Sequence, residues 1–95
     1  MNLGFIGCGK ITSSVIAGIS KSSIKYNRIF ISEKNKKKSK FIKKKYKKIL
    51  IEKKNQSIVD NCNWIFLAIT PRVGKRIIKD LKFRSNQTIV SFIST

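Results

Sequence analysis

Two glycines near the start of the chain, Gly7 and Gly9, follow an apolar run at 2–6 and precede an amphipathic stretch at 10–19. The first backbone N–H groups of a helix have no partner within it, and together with the helix dipole they attract phosphate. Glycines permit a sharp turn and a close approach of the backbone to a diphosphate. The pattern therefore predicts a strand, a turn and a helix that bind a dinucleotide through Ile6, Gly7, Gly9, Lys10 and Ile11.

The helix after this turn departs from the usual pattern at one position. A small residue normally stands three places after the second glycine, where it lets helix and strand pack closely. This chain has Thr12 there, and its branched side chain is expected to open that packing slightly. Ile11, Val15 and Ile19 recur four residues apart, so we expect them to face the sheet as one stripe. Cys8 is expected only to be a small residue between the glycines.

The rest of the chain alternates short apolar runs with helical patterns. Alternation of this kind predicts right-handed crossovers and an α/β, Rossmann-type doubly wound parallel sheet of about five strands, in the order 3-2-1-4-5, with helices on both faces. The whole chain, 1–95, is one such domain in this interpretation, and the ligand crosses the carboxyl ends of strands one and four. Later strands are predicted at 28–32, 49–51, 64–69 and 88–93, and helices at 36–48, at 55–61 and from Pro71 to a close at 86–87.

The end of the second strand, Ser32-Glu33-Lys34, is where a dinucleotide site distinguishes its two nicotinamide cofactors. A carboxylate there binds the adenosine ribose hydroxyls of NAD, and a nearby base accepts the 2′-phosphate of NADP. The chain offers Glu33 for the first role, and Lys34 and Lys36 for the second. The lysines favour NADP, with NAD as the alternative. A different interpretation leaves Glu33 and Lys34 as surface residues that cap the next helix.

Four blocks of sequence, taken together, resemble the N-terminal domain of pyrroline-5-carboxylate reductase. They are Gly4-Phe5-Ile6-Gly7-Cys8-Gly9-Lys10-Ile11, 29–34, 64–71 and 89–93, in that family's order and spacing. The glycine block alone is shared with β-hydroxyacid-type and coenzyme F420-linked reductases. The resemblance implies that Ala68, Thr70 and Pro71 lie beside the cofactor, where the family has a Val-Lys-Pro turn. This chain keeps the proline but has Thr70 in place of the lysine, so Thr70 either contacts the cofactor or only ends the strand.

The resemblance also implies an activity for a complete enzyme. Such a reductase transfers hydride from NAD(P)H to 1-pyrroline-5-carboxylate and yields proline. It holds this substrate largely in a helical, dimer-forming C-terminal domain, to which nothing in the chain corresponds. We therefore expect a truncated or split reductase that is not active as this chain alone, completed by a missing C-terminal half or a homodimer partner. An inert remnant is the alternative.

Catalytic side chains are not indicated by the sequence. The chain has no histidine and four acids, whose spacing suggests no acid–base pair. Its two cysteines, Cys8 and Cys62, match no metal spacing. We therefore predict neither catalytic residues nor a metal site, which suits hydride transfer because the cofactor supplies that chemistry.

The formal net charge is +18, and about a dozen lysines lie between Lys34 and Lys54. Such a cluster suggests a basic module that binds nucleic acid or an acidic membrane. Aromatic residues for stacking on bases are sparse there, because Phe41 and Tyr46 are expected to be core. A solvated lysine face on the second helix is the favoured interpretation, and nucleic-acid binding is the alternative. With no signal peptide or membrane span in the sequence, we expect a cytoplasmic protein with no membrane partner.

Overall fold

The computed structural model describes residues 1–7, 9–33 and 35–93, so the predictions made for Cys8 and Lys34 lie outside the described residues. The chain forms one five-stranded sheet in the order β3-β2-β1-β4-β5. Each neighbouring pair is parallel. This confirms the predicted fold class and strand order, and it places the carboxyl ends of β1 and β4 side by side.

Strands and helices alternate along the whole described chain. The strands are β1 Asn2–Ile6, β2 Arg28–Ser32, β3 Ile49–Glu52, β4 Trp64–Leu67 and β5 Thr88–Ser91. The helices are α1 Lys10–Lys21, α2 Lys36–Lys45, α3 Asn55–Asn61 and α4 Pro71–Ile78. In the described part of the chain, no helix has the length and apolar character needed to cross a membrane.

The core lies on both faces of the sheet, because each buried strand points alternate side chains to opposite sides. Leu3 and Phe5 of β1 belong to the cluster covered by α1 and α2. Ile6 belongs to the second cluster, which includes residues of α3 and α4. Gly4 faces α3 so closely that a Cβ there would lie 2.6 Å from Ile58 Cγ2. Its lack of a side chain therefore permits close packing of α3 on β1.

The predicted inward stripe of α1 is confirmed at Ile19, which is buried, and wrong at Ile11; Val15 is partly buried against the core. Thr12, Ile16 and Ile19 are the buried residues of this helix, whereas Ile11 is 44% exposed. The hydroxyl of Thr12 donates to the carbonyl of Gly7 at 2.8 Å, which fixes the rotation of the first helical turn. Thr12 is therefore a buried residue whose hydroxyl is hydrogen-bonded to the turn.

The prediction for α2 is wrong at Phe41, whose side chain is 55% exposed. Successive helical residues point about 100° apart, and it is Ile42 that is buried against the sheet. The helix ends at Lys45 and not at Lys48, which has the left-handed backbone angle φ 68°.

The last helix also ends earlier than predicted. α4 stops at Ile78, and 86–87 belong to the turn before β5. Gln87 in this turn donates to the carbonyls of Val59 and Cys62 at 2.6 and 2.9 Å. Gln87 therefore satisfies acceptors at the C-terminal end of α3, and it does not close α4.

Candidate functional site

The first bend of the site is Gly7, directly after β1. Its backbone has φ 109°, a conformation that residues with a Cβ rarely adopt. A Cβ at this position would overlap the carbonyl oxygen of Ala68, which follows β4. The N–H of Ala68 in turn donates to the carbonyl of Ile6 at 2.9 Å. The ends of β1 and β4 are thus joined closely, and only glycine fits between them.

Both backbone polar groups of Gly7 are satisfied by side chains. Its N–H donates to the hydroxyl of Ser32 at 3.0 Å, and its carbonyl accepts the hydroxyl of Thr12 at 2.8 Å. Ser32 and Thr12 are both buried. These bonds connect the turn to the end of β2 and to the first turn of α1, so they hold the turn in position. The sequence did not reveal this role for either residue.

Gly9 is the N-cap of α1, with φ −84° and no side chain capping the helix. The N–H groups of the first helical turn have no carbonyl partner within the helix. Apart from its chain neighbours, a Cβ built on Gly9 meets no atom of the described residues within 4 Å, so the space in front of this turn is open. Free N–H groups, the positive end of the helix dipole and open space are what a diphosphate needs. The residues present therefore fit a dinucleotide.

Two cavities border the turn. The first, of about 390 Å³, is lined by residues of α1 and α2, and the second, of about 350 Å³, lies at the β1–β4 junction. This second cavity unites six of the residues predicted for the site, from both halves of the sheet. Ile69 and Phe92 also line it and were not predicted; their places just after β4 and β5 were the available signal. The six are Gly9, Lys10, Ile11, Ala68, Thr70 and Pro71.

Another cavity, of about 240 Å³, lies at the carboxyl ends of β2 and β3 and contains Glu33. Lys36, Lys40 and Lys53 line it with Glu33, so one acidic and three basic residues border the same cavity. The sequence singled out Lys36 but not the other two. Lys53 follows the third strand as Glu33 follows the second, and strands paired in parallel end at the same edge of the sheet.

The remaining predicted residues occupy structural positions. The Ile6 side chain is buried in the core cluster beside α3. Thr70 is the N-cap of α4, where its hydroxyl accepts the N–H of Val73 at 3.5 Å, and Pro71 follows in the first turn. Thr70 thus begins the helix but does not end the strand, because β4 stops at Leu67, two residues before the predicted end at residue 69. Thr70 also lines the cavity at the β1–β4 junction.

Cys62, at the end of α3, is buried, and its thiol is poorly suited to act as a nucleophile. Burial raises the pKa of its thiol from 9.0 to about 12, against a lowering by Arg84, with Glu52 adding a further rise. A thiol with this pKa is neutral near pH 7. Cys62 therefore acts as a small packing residue of the second core cluster.

Comparisons with known proteins agree with this geometry. The model of the family described as NADP oxidoreductase coenzyme F420-dependent matches residues 2–95. The fold is also that of 1-pyrroline-5-carboxylate reductase from the human pathogen Streptococcus pyogenes, with a TM-score of 0.77 and 23% identity. The superposition covers 99% of this chain and 34% of the reductase, so the chain spans about a third of that enzyme. The comparison with curated proteins gives no match. The family match and the shared fold support the resemblance drawn from the four sequence blocks.

Proposed function

Because the chain belongs to the family of coenzyme F420-dependent NADP oxidoreductases, we propose that its own task is to bind NAD(P)H at the turn between β1 and α1. The observation that carries the proposal is the different environment of the two glycines in this turn. Gly7 fits tightly between the ends of β1 and β4, whereas Gly9 faces open space at a helix start without a side-chain cap. The diphosphate would lie against the N–H groups of this first turn, and the nicotinamide half would extend toward Ala68, Thr70 and Pro71.

The preferred cofactor in this proposal is NADP. Its 2′-phosphate would enter the cavity that Glu33 shares with Lys36, Lys40 and Lys53. Three ammonium groups outweigh the single carboxylate, so the local charge favours a phosphate over a free hydroxyl. Glu33 would then accept from the remaining ribose hydroxyl. Lys34, predicted for the same role, stays a prediction.

The proposed reaction is reduction of 1-pyrroline-5-carboxylate to proline, carried out in the cytoplasm by a complete enzyme. A bound dinucleotide would supply the hydride for the imine carbon, and a proton from solvent would complete the amine at the imine nitrogen. This chain would orient the cofactor, and a further region, of a kind supplied by the other two-thirds of the Streptococcus pyogenes reductase, would hold the substrate. A β-hydroxyacid or coenzyme F420 remains the alternative substrate within this family.

The experiment is a titration of the ¹⁵N-labelled chain with NADPH and with NADH. The proposal expects saturable shifts of the amides of Gly7, Gly9 and residues 10–12, with NADPH saturating first. It also expects no oxidation of NADPH when 1-pyrroline-5-carboxylate is added to this chain alone. Unshifted amides at millimolar cofactor would contradict the proposal and favour an inert remnant.

A second function is favoured by the exposed ring of Phe41. This ring stands among the seven lysines of α2, and the ammonium of Lys45 lies 5.9 Å from its centroid. Exposed aromatic rings among cations are what single-stranded nucleic acids use for stacking. Nucleic-acid binding at this helix predicts that Phe41→Ala weakens binding of a fluorescent oligouridylate by about tenfold, or ~1.4 kcal/mol. If the Phe41→Ala variant binds the oligouridylate as tightly as the unmodified chain, nucleic-acid binding through Phe41 is contradicted, and the lysines of α2 are only a solvated face.

A further inference from the structure

The helix α2 carries more positive charge than its surroundings balance. Seven of its ten residues are lysines, and none is acidic. Lysines four places apart on a helix lie side by side and repel each other, as do Lys36, Lys40 and Lys44. Glu33 shares a cavity with the first two of these. The two further cavities that α2 lines contain no acid among the described residues. This side of the helix therefore attracts anions from solution.

The exposed side chain of Phe41 borders both of these further cavities. One, of about 390 Å³, lies between α2 and the first turns of α1, where Lys38 stands opposite Ser13 and Ser14. The other, of about 400 Å³, belongs to α2 alone. We call these two cavities, which meet at Phe41, the α2–α1 surface. Besides Phe41, the cavity on α2 is lined only by lysines, namely Lys37, Lys40, Lys44 and Lys45.

The α2–α1 surface leads to the glycine turn. Gly9 and Lys10 line its cavity between the two helices, and they also line the cavity at the β1–β4 junction. An anionic chain that follows α2 past Phe41 therefore arrives at the same first turn of α1 that the diphosphate would use. The N–H groups of this turn attract either anion. The space in front of Gly9 holds only one of them at a time.

The charge and the exposed ring together select a chain of linked nucleotides. Lys37 and Lys44 are about 10 Å apart along the helix axis, so a chain of phosphates contacts more of these lysines than one small anion does. Each lysine contact releases counter-ions and adds affinity. A base adds stacking on the ring of Phe41, which already lies 5.9 Å from the ammonium of Lys45. Single-stranded nucleic acid supplies both features.

We propose that single-stranded nucleic acid, bound along the α2–α1 surface, competes with NAD(P)H for the first turn of α1. Its phosphates lie among the lysines of α2, a base stacks on Phe41, and the phosphate at its end reaches Lys10 beside Gly9. Binding of one ligand therefore excludes the other. The competition rests on the proposed cofactor site, whereas the contact of nucleic acid with Ser13 and Ser14 does not.

The first experiment titrates the ¹⁵N-labelled chain with an oligouridylate of about ten nucleotides in the absence of cofactor. We expect saturable shifts of the amides of Ser13 and Ser14 together with those of α2. Shifts confined to α2, or no shifts, would overturn the proposal whether or not the chain binds NADPH. An abasic chain of the same length should bind about tenfold more weakly, because it cannot stack on Phe41. Equal affinity of the abasic chain would contradict nucleic acid as the ligand.

The second experiment titrates NADPH at several concentrations of the oligouridylate. We expect the apparent Kd of NADPH to rise without a plateau, about tenfold at ten times the Kd of the oligouridylate. An unchanged affinity for NADPH would show that both ligands bind together and would overturn the proposal. Shifts of Ser13 and Ser14 in a chain that binds no NADPH would support the nucleic-acid site but contradict the cofactor site, and the competition with it.

Matched double variants locate the surface. Lys37→Gln with Lys44→Gln removes two charges from the cavity on α2, and Lys75→Gln with Lys79→Gln removes two exposed charges at α4. We expect the α2 variant to weaken oligouridylate binding about tenfold and to leave NADPH affinity within twofold. The α4 variant should weaken oligouridylate less than threefold. Equal weakening by both variants would show a general charge effect and contradict the proposal.

Discussion

The hydroxyl of Ser32, at the end of β2, accepts the backbone N–H of Gly7, at the end of β1, over 3.0 Å. The N–H of a residue at such a bend leaves the strand ladder and has no regular backbone partner. Ser32 supplies one from the neighbouring strand, while Thr12 binds the carbonyl of the same glycine from α1. The turn that faces the proposed diphosphate is thus fixed by side chains that need not touch the cofactor.

Replacing Ser32 by alanine should therefore destabilise the fold. The part-buried N–H of Gly7 would lose its partner, which costs about 1–3 kcal/mol. Urea denaturation measures this loss. Ser39→Ala is the control, because Ser39 is also buried and its hydroxyl donates to the Lys36 carbonyl within its own helix. We expect a much smaller loss there, and equal losses in both variants would contradict the special role of Ser32.

Lys48 offers a test of backbone strain. Its φ of 68° lies in the left-handed region, which costs a residue with a Cβ about 1–2 kcal/mol. Lys48→Gly removes this cost and should raise the free energy of unfolding by about 1 kcal/mol, as measured by thermal or urea denaturation. The adjacent change Lys47→Gly removes the same charge without relieving strain, so it should leave stability unchanged or lower. A loss of stability in Lys48→Gly would contradict the assignment.

Cys62 predicts how stability depends on pH. Its pKa is about 12 in the folded chain and 9.0 when unperturbed, so above pH 9 the unfolded chain releases the thiol proton first. This contribution is fully present below pH 9 and is lost as the pH rises from 9 toward 12, by up to ~1.4 kcal/mol per pH unit. The measurement is the difference in the free energy of unfolding from the Cys62→Ala variant. The difference between the two proteins should shrink between pH 8 and pH 10, and a constant difference would contradict the raised pKa.

Substitution of two lysines in the cavity around Glu33 should remove the preference for NADPH over NADH. Lys40→Gln with Lys53→Gln should weaken NADPH about tenfold, or ~1.4 kcal/mol, because two cations near the 2′-phosphate are lost. NADH affinity should be nearly unchanged, since NADH lacks that phosphate. Lys43→Gln with Lys44→Gln removes the same charge from α2 outside this cavity and serves as the control. If both double variants weaken NADPH binding equally, the overall positive charge of the chain attracts the cofactor, and a 2′-phosphate site in this cavity is contradicted.

The strand order could be predicted from the sequence because alternating apolar runs and helical patterns leave few topologies open. The pattern could not decide which apolar surface each side chain faces. Ile11 and Val15 are apolar at helical spacing, yet the helix buries Thr12 and Ile16, while Ile11 is 44% exposed and Val15 is only partly buried. Phe41 and Ile42 are neighbours, so only one of them can face the sheet. The bond between Ser32 and Gly7 spans 25 residues, and no local spacing predicts it.

Cofactor binding at this site depends most on open space in front of the first turn of α1, and one pair of variants tests it. Gly9→Ala and Gly18→Ala each add a Cβ that meets no atom within 4 Å among the described residues beyond its neighbours in the chain and helix, one at the start and one in the interior of α1. Titration calorimetry with NADPH should show affinity at least tenfold weaker in Gly9→Ala, because the methyl group occupies the space of the diphosphate. Gly18→Ala should keep its affinity and gain about 1 kcal/mol of stability. NADPH binding in Gly9→Ala as tight as in the unmodified chain would contradict the proposed site.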